Sequence, residues 1–456
     1  MLFSSVTFLY FFLPITLGLY YLLPWKLKNY VLLVSSIIFY ASGEPKYVLL
    51  LLLAALVGWL HGLGLEKRPG NKWILGSGLF WNLIFLLFFK YADFLIGSLN
   101  SLLGTKIPLT GLTLPIGISF YTFQNMSYIL DVYWGRCSVQ KSLGSYATYL
   151  CLFPQLIAGP IVRYSDVERE LSSRSIAVSD VSEGAVRFVT GLGKKVLIAN
   201  TLGELAEMQI SGGSVLFSWM RAVSFTLQIY FDFSGYSDMA IGMGRMMGFH
   251  FPENFNYPFL SRSATEFWRR WHISLGSWFR DYVYIPMGGS RTGRLKWLRN
   301  VLVVWMLTGI WHGANWNFLI WGLYYGLFLL IEKFWLSKHL KGRVMPYIYM
   351  FFVTICGFVI FHSAGISDAA GELAGMFGLG GLPLSDSVSI YYLKSYGILI
   401  AAALIGSTPL PKKLGEKLAS GRAGKVLQPL FILALLILVT AYLVDGSFNP
   451  FLYFRF

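Results

Sequence analysis

The sequence predicts an all-α polytopic membrane protein, and three observations carry that prediction. Apolar runs near the length that crosses a bilayer, about 20 residues, recur along the 456-residue chain. Hydrophobic residues make up 55% of it and charged residues only 13%, whereas soluble domains carry roughly a quarter. Lys and Arg outnumber Asp and Glu, 37 to 22, and they gather in short loops between the runs, as cytoplasmic loops do. The net charge of +15 thus follows from topology, with contact to anionic lipid as a consequence. Nucleic acid is not needed to explain it.

Residues 3–23 form the first run. They lack a basic n-region and a small-x-small cleavage site, so the run is expected to be a retained span rather than a signal peptide. Runs follow at 30–40 with its flanks, 47–65 and 73–95. The basic loops 26–28 and 66–72 belong in the cytoplasm, which puts the N-terminus outside. Run 114–134 starts at Pro115 and carries Ser119, Tyr121, Gln124, Asn125 and Asp131. It is too polar to face lipid, so Gln124 and Asn125 are expected to line the interior of the bundle. Run 150–160 contains Pro154, Gly159 and Pro160 and should be broken or re-entrant. Residues 163–174 mix both signs of charge and suggest a cytoplasmic surface loop.

Runs 184–200 and 215–229 come next, and the second continues into Phe231-Asp232-Phe233-Ser234-Gly235-Tyr236-Ser237-Asp238. Asp232 and Asp238 are acids embedded in apolar sequence, hence functional candidates. Asp238 also shares a helical face with Arg245, so a structural pair is the alternative. Ser263-Ala264-Thr265-Glu266 is a capping box that should open a helix at Ser263. That helix would carry Phe267, Trp268, Trp271, Trp278 and Phe279 beside Arg269, Arg270 and Arg280, a mixture suited to the headgroup level. His272 lies inside it, and residues 286–289 end it.

The stretch Leu307-Thr308-Gly309-Ile310-Trp311-His312-Gly313-Ala314-Asn315-Trp316 interrupts two apolar runs between the basic loops 291–299 and 333–343. A break inside lipid survives only where protein or a wet cavity surrounds it. At 1.5 Å per residue, the climb from Trp297 puts His312 on the order of 20 Å from the cytoplasmic side, at the tip of a helical hairpin. Runs 345–361, 396–406 with its flanks and 427–443 complete the chain. Loop 363–392 has no Lys or Arg and should face outside; loop 412–425 is basic and should face inside. The total is about eleven spans, with re-entrant and interfacial pieces, in one integral-membrane domain covering residues 1–456.

Of six histidines, His61, His250, His339 and His362 fit structural positions. His272 and His312 differ, being set among Trp, Gly and polar residues at chain breaks. A buried imidazole is pushed towards its neutral form and can then take a hydroxyl proton as that oxygen attacks an activated acyl carbonyl. Asn315, the indole N–H of Trp311 or Trp316, or the amides after Asn315 could hold the oxyanion. A satisfied core histidine is the bland alternative for either position. Cys137, Cys151 and Cys356 stand singly, without metal spacing or a disulfide framework. No third ligand of usual spacing accompanies the two histidines. No nucleophile elbow, Walker loop, dinucleotide fingerprint or zinc-protease motif is present.

Several of these stretches together resemble the membrane-bound O-acyltransferase (MBOAT) family. They are Leu114-Pro115-Ile116-Gly117-Ile118-Ser119-Phe120-Tyr121, Phe153-Pro154-Gln155-Leu156-Ile157-Ala158-Gly159-Pro160, the segment from Phe231 to Asp238, Glu266-Phe267-Trp268-Arg269-Arg270-Trp271-His272-Ile273-Ser274-Leu275 and Trp311-His312-Gly313-Ala314-Asn315. The branch they resemble is the AlgI type of bacterial polysaccharide O-acetylation, and so does the ending Asn449-Pro450-Phe451-Leu452-Tyr453-Phe454-Arg455-Phe456. The resemblance implies a ring of helices around a central funnel. It puts His312 at the family's catalytic histidine and His272 at its second histidine. It implies acetyl transfer from a cytoplasmic thioester, acetyl-CoA being the expected donor, with no resident cofactor or metal. It further implies an extracytoplasmic SGNH-type transferase as partner, a cell-surface polysaccharide as acceptor, and the bacterial inner membrane as location. Two alternatives stay open: D-alanyl transfer to teichoic acid, as in the related DltB branch, and a non-catalytic acyl-group transporter.

Overall fold

The computed structural model describes residues 1–209, 213–340, 342–446 and 448–450, and among them the regular structure is entirely helical. The end of the closing motif, residues 451–456, lies outside the described residues. Among the described residues six helices are long and apolar enough to cross a membrane: Pro45–Lys67, Lys72–Leu103, Trp316–His339, Met345–His362, Ser387–Gly406 and Gly424–Asp445. The other expected spans form helices that are shorter or more polar. Trp25–Ala41 has 17 residues and Ile118–Tyr133 has 16. Val215–Met246 is long but carries Arg221, Asp232, Asp238 and Arg245. Arg294–His312 opens with Arg294, Lys296 and Arg299.

The chain divides into two compact units, one of residues 1–188 and 236–253, the other of residues 189–235 and 254–456. In the first, the polar helix Ile118–Tyr133 is buried continuously from Phe120 to Asp131. It starts at Gly117, whose φ of 75° suits glycine, and whose missing side chain admits the Leu156 carbonyl. The proline-rich run is broken as expected, into Leu143–Cys151 and the four-residue helix Phe153–Leu156.

Two local expectations need correction. Residues 163–174 are not a loop: Tyr164–Ser172 is helical. Asp166 accepts the Arg163 N–H at 2.9 Å, and Tyr164, Val167 and Leu171 bury one face. The helix expected from Ser263 does begin there, with Ser263 Oγ accepting the Glu266 N–H at 3.0 Å, but it is not continuous. It stops at Arg270 and restarts at Ile273, because His272 has φ 45°, a left-handed conformation that no helix interior accommodates.

Candidate active site

The second unit contains both singled-out histidines. His312 is the last residue of Arg294–His312. The chain then turns through Gly313 and Asn315, whose side chain accepts the Trp316 N–H at 2.6 Å and caps Trp316–Ile331. The two helices lie backbone to backbone: a side chain on Gly309 would strike the Phe318 carbonyl, and one on Gly322 the Trp305 carbonyl. The hairpin thus depends on glycine at its crossing. Asn317 fastens the turn to the neighbouring Met345–His362 helix by donating to the Ser363 carbonyl at 2.8 Å. Asn315 Nδ2 donates to the Ala364 carbonyl at 2.8 Å. Both amide ends of Asn315 are therefore engaged in closing the hairpin.

The His312 ring is 6% exposed. It meets Trp311, Trp321 and Phe361 edge to face, with centroids at 4.9, 5.0 and 5.3 Å. His272 is 2% exposed, packs on Phe233 at 4.6 Å and reaches Trp311 at 6.1 Å. Trp311 therefore contacts both imidazoles.

The proton on His272 can be placed. Ser274 donates its backbone N–H and its hydroxyl to Asn254 Oδ1, at 3.3 and 2.9 Å, so that atom is an acceptor. His272 Nδ1 lies 3.1 Å from the same oxygen and must carry the proton. Nε2 then holds the lone pair, and it is buried with no hydrogen-bond partner among the described residues. Burial pushes the imidazole's pKa well below its usual value, so the ring is neutral. A neutral ring with its far nitrogen open is the state a base or hydrogen-bond acceptor requires.

A cluster that sequence reasoning did not single out surrounds the hairpin. Trp268 packs on Trp321 and Tyr325 at 5.4 and 4.7 Å. The Nε1 atoms of Trp268 and Trp321 and the Tyr325 hydroxyl are buried without a hydrogen-bond partner among the described residues. Of these donors Trp321 meets the His312 ring directly, and Trp268 and Tyr325 pack behind it, whereas Trp316 is half-exposed. Their signal was available: Phe318, Trp321 and Tyr325 follow one another at helical spacing on one face. Glu332 was also missed. This buried carboxylate accepts from the Ala264 and Thr265 backbone N–H groups and the Thr265 hydroxyl, and from the Tyr349 hydroxyl at 3.0 Å. It holds the start of the segment that leads to His272.

The remaining expected residues fall as follows. Asp232 forms a buried pair with Lys195 Nζ at 2.7 Å, and Lys195 also donates to Asn200 at 2.9 Å and to the Pro450 carbonyl. Asp238, in the first unit, binds Arg187 at 2.9 Å; Arg245, the partner that spacing suggested, pairs with Asp180 and Glu183 instead. Gln124 and Asn125 are also in the first unit. Asn125 donates to the Ala54 carbonyl and Asn82 and accepts from Tyr146. The side-chain amide of Gln124 is buried with neither end hydrogen-bonded among the described residues. No group of three or more His, Cys, Asp or Glu suited to a metal ion occurs among the described residues.

Residues 138–341, a span that includes both histidines, match the model of the MBOAT, membrane-bound O-acyltransferase family. A Pseudomonas putida protein named Probable alginate O-acetylase AlgI is 39% identical over the full length of both chains. The chain belongs to the membrane-bound O-acyltransferase family. Within it the AlgI branch is the one it joins, since the Azotobacter vinelandii protein of the same name is 38% identical, again over all of both chains. The peptidoglycan O-acetyltransferase of Helicobacter pylori is 32% identical over 84% of this chain and 81% of its own. The teichoic acid D-alanyltransferase of Bacillus subtilis is 29% identical over 54% of this chain and 68% of its own. The protein is thus a multi-pass membrane O-acyltransferase.

Proposed function

We propose that this membrane-bound O-acyltransferase moves an acetyl group from acetyl-CoA, on the cytoplasmic side of a bacterial inner membrane, to a hydroxyl arriving from outside. An SGNH-type partner there would pass it to a cell-surface polysaccharide. Relatives named alginate O-acetylase and peptidoglycan O-acetyltransferase support a polysaccharide as final acceptor. The observation that carries the chemistry is the pair of buried imidazoles on one indole, with His272 Nε2 left open.

In this mechanism His312 takes the proton of the attacking hydroxyl as its oxygen bonds to the thioester carbonyl carbon. The indole N–H groups of Trp321 and Trp268 bind the oxyanion. The C–S bond then breaks, and the leaving thiolate takes the proton back. His272, oriented by Asn254, accepts the single hydrogen bond of the hydroxyl as it arrives, and that bond is given up when the proton turns to His312. A His312→Ala variant tests this: with normal protein abundance, cell-surface O-acetyl content should fall to background. Retained acetylation would remove His312 from the mechanism. D-alanyl transfer is the second possibility, on the strength of the Bacillus subtilis relative; it is the weaker, because that match covers 54% of the chain. Purified protein supplied with acetyl-CoA separates acetyl transfer from D-alanyl transfer and from a non-catalytic transporter, neither of which would release free thiol from it.

A further inference from the structure

The first unit contains a cavity of ≈ 400 Å³ lined by Tyr21, Trp25, Lys28, Arg174, Ile176 and Val178, among others. Two cations share it, and neither forms an ion pair among the described residues. Lys28 Nζ donates to the Tyr20 carbonyl at 2.8 Å and stands 4.4 Å from the centre of the Tyr20 ring. Arg174 is fixed by neutral acceptors. Its Nε donates to the Tyr20 hydroxyl and the Met247 carbonyl, at 2.8 and 3.1 Å. Its Nη1 donates to Asn29 Oδ1 and the Glu170 carbonyl, at 2.8 and 2.9 Å. Its Nη2 has no acceptor among the described residues. The Glu170 carboxylate is occupied by His250, through the backbone N–H at 3.0 Å and Nδ1 at 2.6 Å. The guanidinium lies against the Trp25 and Phe249 rings, at 4.9 and 4.3 Å. A side chain at Gly248, where φ is 80°, would crowd it.

We propose that this pocket binds a phosphoryl group carried on an apolar or aromatic body. A guanidinium and an ammonium converge with no carboxylate hydrogen-bonded to either, the Glu170 carboxylate near Arg174 being held by His250; this favours a multiply charged oxyanion, and the Trp25, Ile176 and Val178 walls favour an apolar attachment. Two sources share that chemistry. One is the headgroup of an acidic phospholipid, since the basic stretch 26–28, in the first turn of the helix Trp25–Ala41, is expected on the cytoplasmic side, where such lipids attract basic residues. The other is the phosphates of a nucleotide-bearing thioester donor. Only the second source touches the acetyl-transfer proposal, and the pocket does not depend on it.

The test uses the full chain in phosphatidylcholine nanodiscs, with the thermal unfolding midpoint measured against added phosphatidylglycerol or coenzyme A. At least one probe should raise the midpoint, and Lys28→Gln and Arg174→Gln should each weaken the apparent affinity at least about tenfold. An effect of phosphatidylglycerol alone assigns the lipid, and an effect of coenzyme A assigns the nucleotide. Arg174→Gln strips several hydrogen bonds and could unfold the protein. Lys28→Gln, which loses one hydrogen bond, keeps the test decisive. A shift that survives Lys28→Gln, or no shift with either probe, overturns the proposal.

Discussion

His312 and His272 both sit where a helix stops, but the two stops are built differently. At His312 the chain leaves a regular helix through glycine and re-enters one at an asparagine cap, so neighbours in sequence do the work. At His272 the backbone itself is left-handed, in one of two non-glycine residues with positive φ among those described. Nothing adjacent in sequence compels that. Asn254, eighteen positions earlier, takes the Ile273 N–H on its carbonyl and His272 Nδ1 on its side chain. Local backbone cost of about 1–3 kcal/mol persists only where surrounding structure enforces it. The comparison teaches that the first histidine is placed by its own segment and the second by a clamp from elsewhere in the chain.

The largest expected effect breaks the comparison at its first member. His312→Ala should lower acetyl transfer by ~10²–10⁴-fold, the usual range for a general base, with membrane abundance unchanged. Thiol release from acetyl-CoA by purified protein measures it. Next comes the clamp. Asn254→Ala removes the acceptor for His272 Nδ1–H and both Ser274 donors, and unmet buried donors cost about 1–3 kcal/mol each. Transfer should fall at least about tenfold, and Asn254→Asp, which keeps an oxygen in place, should recover part of it. Equal activity of Asn254→Ala and wild type would show that the clamp does not matter to the reaction.

Glu332 sharpens the same point from further away. Glu332→Ala leaves the Ala264 and Thr265 N–H groups and the Tyr349 hydroxyl without their acceptor, at a similar cost per group. The purified protein should melt several degrees lower and lose activity in proportion to folded protein. Trp321→Phe keeps the ring against His312 but removes its N–H. It should slow transfer about tenfold or more by removing the oxyanion donor, a loss measured per folded protein because the smaller ring also leaves a cavity in the core. The smallest effect belongs to the first unit: Asp238→Asn loosens a partly exposed pair with Arg187 and should change stability by less than about 1 kcal/mol.

Much of this was legible in the sequence. The His312 hairpin could be read because glycine, histidine and a capping asparagine lie within a few residues, and caps act locally. Ser263 likewise announced its helix start. In residues 163–174 the mixed charges suggest a loop, but Tyr164, Val167 and Leu171 recur at helical spacing and bury one face. Spacing along one helix suggests Arg245 as a partner for Asp238, whereas the guanidinium it binds, Arg187, comes from another segment and leaves no trace in local spacing.

Composition and periodicity alone determined that this chain crosses a membrane as helices, since lipid leaves a backbone few other options. The order of motifs determined its family. Only the tertiary structure decided which nitrogen of His272 carries the proton, which indoles surround His312 and which acids are already paired. Those outcomes depend on hydrogen bonds and ring contacts between residues far apart in sequence, and such contacts form only when distant segments pack.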